Sequence, residues 1–188
     1  MNTPLSLLER LRDPADEASW RRLVELYTPL IRRWLGRAVS NADEDDLVQD
    51  VLGAVLRAMP TFIHSGQTGA FRHWLRTTTA YHLAAFWRAH RTRGGAPPPI
   101  EWDLLVDAES ELSQARNREH DEFVARRLLE LMKPEFSPTT WNAFRRQIVD
   151  GLTAAQVAAE LGMSVNAVLL AKSRVLARLR KEARGLID

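Results

Sequence analysis

The most constraining stretch of the sequence is residues 151–168, Gly-Leu-Thr-Ala-Ala-Gln-Val-Ala-Ala-Glu-Leu-Gly-Met-Ser-Val-Asn-Ala-Val. Thr153 is a side-chain cap for a helix start, and Val157, Ala158 and Leu161 recur at the spacing of one helical face. Gly162 supplies the left-handed backbone that a tight turn between two helices needs. Ser164 caps a second helix, with Val165 and Val168 expected to anchor it to the first. Two capped helices joined by so short a turn predict a helix-turn-helix. Its second helix leaves Asn166, Ala167, Leu169, Leu170, Lys172, Ser173 and Arg174 outside, and Arg178, Arg180, Lys181 and Arg184 follow. A helix of this kind enters a DNA major groove, where Asn, Lys, Ser and Arg read base edges and the trailing basic residues, Arg178 first, meet phosphates. The two leucines cannot hydrogen-bond. They either touch thymine methyl groups or pack on the rest of the domain.

The remaining periodicity is also helical, with no alternating strand, so the expected class is all-α. Leu5, Leu7, Leu8 and Leu11 form a short amphipathic prelude within residues 1–19, ended by Asp13-Pro14. Asp16 caps a helix through Trp20, Leu23, Val24 and Tyr27, and Thr28-Pro29 reads as a fresh cap and proline start for a separate helix through Leu35 and Val39. The acidic run Asn41 to Asp46 opens a helix whose apolar face carries Leu47, Val48, Val51, Leu52, Val55 and Leu56, and Pro60 ends it. After a loop with two glycines, a long helix runs from about Ala70 to Arg93, with Phe71, Trp74, Leu75 and Leu83 as its core face. Gly94-Gly95-Ala96-Pro97-Pro98-Pro99 is the clearest boundary. Ser137-Pro138 starts a helix through Trp141, Phe144 and Ile148 that Gly151 stops. The expected organisation is therefore a domain over 20–93, an acidic flexible linker over 94–117, and a helix-turn-helix domain over 118–188.

Composition matters chiefly through what it excludes. No apolar run approaches the length that crosses a bilayer and no signal-peptide core is present, so the expectation is a cytoplasmic protein without a membrane partner. With no cysteine, disulfides, thiolate metal sites and cysteine nucleophiles are out. The net charge of +2 conceals a blocked distribution. Residues 71–93 hold Arg72, Arg76, Arg88, Arg91 and Arg93 with no acid, residues 101–122 hold eight acids against Arg116 and Arg118, and residues 172–184 hold six basic residues against Glu182. Two basic blocks separated by an acidic one suggest two nucleic-acid contact surfaces, and the preference for arginine suits bidentate phosphate and base contacts.

These features, taken in chain order, resemble a known family. Asp45-Asp46-Leu47-Val48-Gln49-Asp50-Val51-Leu52 looks like the helix by which sigma factors dock on RNA polymerase. Phe71-Arg72-His73-Trp74-Leu75-Arg76-Thr77 resembles the start of their promoter-melting helix, and residues 151–180, with Ala171-Lys172-Ser173-Arg174-Val175-Leu176, resemble their C-terminal domain. Two domains and a short linker resemble the extracytoplasmic-function group. The resemblance implies a non-catalytic transcription initiation factor, with core RNA polymerase and promoter DNA as partners, an anti-sigma factor as an optional third, and no cofactor or metal. It assigns Asp46, Gln49, Asp50 and Arg57 to polymerase. It assigns Arg72, Arg76, Tyr81, Arg88 and Arg91 to the minus-ten element, and Asn166, Ala167, Leu170, Lys172, Ser173, Arg174 and Arg178 to the minus-thirty-five element. A loop holding an extruded base maps either to residues 61–69 or to residues 77–82. The chain departs from the family pattern at Thr78, Tyr81 and Ala85, and at Leu169, Leu170 and Ala171, where relatives often carry Lys, Ser and Arg.

Three other readings compete: a regulator that binds DNA without polymerase, a family member repurposed as an adaptor, and a metal-dependent nuclease using the acids of residues 43–50. Against the last, consecutive helical carboxylates diverge, and His73, His82 and His90 are spaced too widely to converge on a metal. The acids at 43–46 double as helix capping. Residues 100–117, with Trp102, Leu104, Leu105 and Val106 among acids, read either as a solvated tether or, by the resemblance, as a strap threading a polymerase channel.

Overall fold

The computed structural model describes residues 6–65, 67, 69–91 and 111–187. Among them are eight α-helices and no strand, so the all-α class is observed. No single helix is long and apolar enough to cross a membrane. Residues 94–110 of the linker expected over 94–117, Arg93 and the side chain of Arg91 lie outside the described residues.

The chain divides into two compact units, Met1–Val124 with Arg184–Asp188, and Ala125–Ala183. The first begins with α1 (Leu7–Arg10), held by a reciprocal capping box in which the Ser6 N–H donates to Glu9 at 2.6 Å and the Glu9 N–H donates to Ser6 at 3.3 Å. α2 (Glu17–Leu35) starts at Asp16, whose carboxylate accepts from the Ser19 N–H at 3.0 Å. The expected break at Thr28-Pro29 does not occur, because α2 continues through Pro29. A proline inside a helix costs about 3 kcal/mol. Leu23, Leu26 and Tyr27 before it and Leu30, Ile31 and Leu35 after it are all buried, and burying each contributes about 1.5–3 kcal/mol, which outweighs the lost hydrogen bond.

α3 (Asn41–Ala58) is capped by Ser40, one residue before the predicted start, and carries Asp43 and Glu44 in its first turn. Leu47, Val48, Val51 and Val55 are buried, as the apolar stripe predicts. Leu56 is not, since the stripe is wider than the contact it makes. α4 (Ala70–Arg91) buries Phe71, Leu75 and Leu83 and half-buries Trp74. α2, α3 and α4 pack on one another. At their centre Phe71 meets Tyr27 edge-on at 5.4 Å and Phe62 at 5.7 Å. Residues 184–188 also belong to this unit: Leu186 is fully buried, and a Cβ on Gly185 (φ +81°) would come within 2.9 Å of Leu8.

Helix α5 (Glu111–Met132) departs from the expected boundary at 118. Its residues up to Val124 group with the first unit and those from Ala125 with the second. Within the second unit, α6 (Pro138–Ile148) starts at the Ser137 cap, followed by α7 (Ala154–Leu161) and α8 (Val165–Ala183). Ala143, Val157, Ala158, Val168 and Ala171 form its small-residue core, edged by Leu152, Leu161 and Met163.

Candidate nucleic-acid interface

Local chemistry builds two capped helices and the glycine turn between them as the sequence predicts. The Thr153 hydroxyl accepts from the Gln156 N–H at 3.3 Å, and the Gln156 side chain accepts from the Thr153 N–H at 2.9 Å. Gly162 stands in the left-handed region (φ 62°, ψ 33°), and the Met163 N–H returns to the Ala158 carbonyl at 3.0 Å, closing the end of α7. The Ser164 hydroxyl accepts from the Ala167 N–H at 3.1 Å and starts α8. α7 and α8 are bent by 108° at this turn, inside the 90–120° range of helix-turn-helix units.

On α8, Val168, Ala171 and Val175 face the core. Asn166, Ser173 and Arg174 are exposed, Ala167 and Lys172 are half-buried, and Leu169 and Leu170 are 49% and 46% exposed. Val165 is also 46% exposed, so Val168 rather than Val165 does the anchoring. Gln147, which carries no sequence signal, secures α8 from α6: its side-chain amide donates to the Val168 carbonyl at 3.1 Å.

Arg178 differs from the phosphate contact expected of it. Its guanidinium donates to Glu135 at 2.8 Å and to the fully buried Glu182. Burial alone would weaken its hold on the proton, but the hydrogen bonds to Glu182 and Glu135 outweigh burial and raise its pKa. Arg178 thus neutralises Glu182. No acid stands between Val165 and Lys181.

The basic face of α4 divides. Arg72 was expected at the DNA backbone, yet its side chain is 7% exposed and donates to Asp121 at 2.6 Å. The cause is a partner 49 residues away, in what the sequence presents as the end of a linker. Arg76 is half-buried, donates to Asn117 at 3.0 Å and lies 5.4 Å over the Trp34 ring. Tyr81, by contrast, is 65% exposed, and the exposed Arg88 places its guanidinium 6.0 Å from the Tyr81 ring. An open aromatic face beside a cation is a surface on which an unpaired base can stack.

Asp46, Gln49, Asp50 and Arg57 on α3 are all exposed. Arg32 of α2 donates to Glu44 at 2.9 Å and to Asp45, so two acids of the cluster hold α3 against α2 while Asp46 and Asp50 face outward. Among the described residues no three His, Asp or Glu side chains group as metal ligands. His120 is another residue without a sequence signal. It is 2% exposed, stacks on Trp34 at 6.1 Å, and its Nδ1 lies 3.0 Å from Asp121. Neither a protein-family model nor a curated protein matches the chain.

Proposed function

We propose that this chain is a cytoplasmic transcription initiation factor of the extracytoplasmic-function sigma type, acting without catalysis of its own. The observation that supports it most is the capped 108° helix-turn-helix with an outward α8 face free of acid. Asn166, Lys172, Ser173 and Arg174 contact the minus-thirty-five duplex from that face, with Leu170 and Ala167 beside them. A lone helix-turn-helix suits many DNA-binding proteins, so the reading also rests on the first unit. There the outward Asp46, Gln49, Asp50 and Arg57 form a polar docking strip for polymerase on α3. Tyr81 and Arg88 on α4, with Arg91 further along, receive the minus-ten element once its strands part, and each base stacked on an aromatic contributes about 1–3 kcal/mol toward opening. Arg72 and Arg76 are reassigned from direct DNA contact to fastening α4.

The test is transcription by purified core polymerase with this protein on a library of random promoters. Initiation at a defined class of templates is the expected result, and the enriched templates yield the recognised sequence. Failure to bind core polymerase, with duplex binding retained, would leave a stand-alone DNA-binding regulator instead.

A further inference from the structure

We infer that α8 selects A·T pairs by covering thymine methyl groups with Val165, Leu169 and Leu170, while Asn166 takes the adenine edge. This rests on the DNA-binding reading of α8 and adds what the helix reads. Three large aliphatic side chains on its first turns are about half exposed, although the core side is already occupied by Val168, Ala171 and Val175. Two of them line up with polar neighbours along helical rows. Asn166 and Leu170 are four residues apart, and Leu170 is followed four residues later by the exposed Arg174. The second row runs from Val165 through Leu169 to the exposed Ser173.

A row holding an amide, an aliphatic group and a guanidinium matches one base pair and its flanking phosphate. Adenine presents N6 and N7 to an asparagine amide, and its partner thymine presents the one apolar group on a major-groove edge. A leucine over a G·C pair would instead strip water from O6, N7 or N4 without replacing the hydrogen bond. The charge beside the patch favours a polyanion over an apolar protein partner, because Lys172 and Arg174 directly follow it on α8, Arg180 and Lys181 lie further along the same helix, and no acid intervenes.

The experiment starts from duplexes selected by the full chain from a random pool, with affinities then measured by fluorescence anisotropy. Each thymine of the selected site is replaced singly by deoxyuridine, which removes only the methyl. Affinity is expected to fall about fourfold at the thymines under α8, the ratio for one buried carbon, and to stay unchanged elsewhere. Leu169→Ala with Leu170→Ala should lose the difference between thymine and deoxyuridine at the positions those two leucines cover, keep its salt dependence, and melt like the parent because both positions are surface ones. Equal affinity of the parent chain for the two duplexes would overturn the inference while leaving DNA binding intact. Absence of any selected duplex would overturn the DNA-binding reading with it. Concentration-dependent dimerisation abolished by the double substitution would assign the patch to self-association and also overturn the inference.

Discussion

His120 shows how a single side chain can tie stability to pH. Burial pushes its pKa below the ordinary imidazole value, the hydrogen bond to Asp121 pulls the other way, and the nearby Arg72 charge adds to the lowering. Asp121 already has Arg72 as its counter-charge, so the ring sits neutral, with its Nδ1–H donating to Asp121 and its Nε2 buried without a protein partner. A base whose folded pKa is depressed binds more protons when unfolded. Its contribution is therefore present above about pH 6.5 and is lost as pH falls below that value. The melting midpoint should drop more steeply between pH 7 and pH 5 in the parent than in His120→Phe, followed by circular dichroism; parallel curves would refute this. Arg178 and Arg174 form a second contrast. Arg178→Ala removes the guanidinium bonded to the buried Glu182 carboxylate and should destabilise the second unit by on the order of 3 kcal/mol in urea. Arg174→Ala removes an exposed cation, leaving stability within about 0.5 kcal/mol while weakening duplex binding.

Among the elements, α5 holds the least anticipated position. Its residues 117–121 attach to α2 and α4 through Asn117 to Arg76, Glu119 to Arg33 at 2.7 Å, and Asp121 to Arg72. These contacts differ in worth because they differ in burial. Asp121→Ala removes the carboxylate 2.6 Å from the enclosed Arg72 guanidinium and should lower the stability of the first unit by about 3 kcal/mol. Glu119→Ala breaks an ion pair open to solvent on both sides, and its effect should stay below about 1 kcal/mol. Chemical denaturation of the two variants in parallel measures the difference, and equal losses would mean that the Arg72 pair is not the stronger tie. The helices themselves are legible from sequence. Asp16, Ser137, Thr153 and Ser164 cap where the residue types say they should, because capping involves atoms only three residues apart. Thr28-Pro29 misleads for the opposite reason: its local signal is overridden by burial on both sides of Pro29.

At the scale of the whole molecule, the proposal assigns polymerase and DNA to separate surfaces, and paired substitutions test that division. Asp46→Ala with Asp50→Ala should weaken binding to core polymerase by about tenfold or more while duplex affinity is retained. Lys172→Ala with Arg174→Ala should do the reverse, with a shallower salt dependence, since two phosphate-neutralising charges are gone. Pull-down with core polymerase and anisotropy with duplex measure the two, and loss of both functions together in either variant would mean a folding defect instead.

What the sequence by itself determined is whatever depends on near neighbours: helix starts, the Gly162 turn, the inward spacing of Val157, Ala158 and Val168, and the outward placement of Asn166, Leu169, Leu170, Ser173 and Arg174 on α8. Tertiary structure alone decided which members of a wide stripe find a partner, leaving Leu56 and Val165 exposed. It also decided which charges are neutralised, since Arg72 meets Asp121 across 49 residues and Arg178 meets Glu135 across 43. Capping and helical period act within a turn or two of backbone. Counter-charge and burial depend on residues that only folding brings together, which is why both arginines read as free for DNA in the sequence and stand paired in the structure.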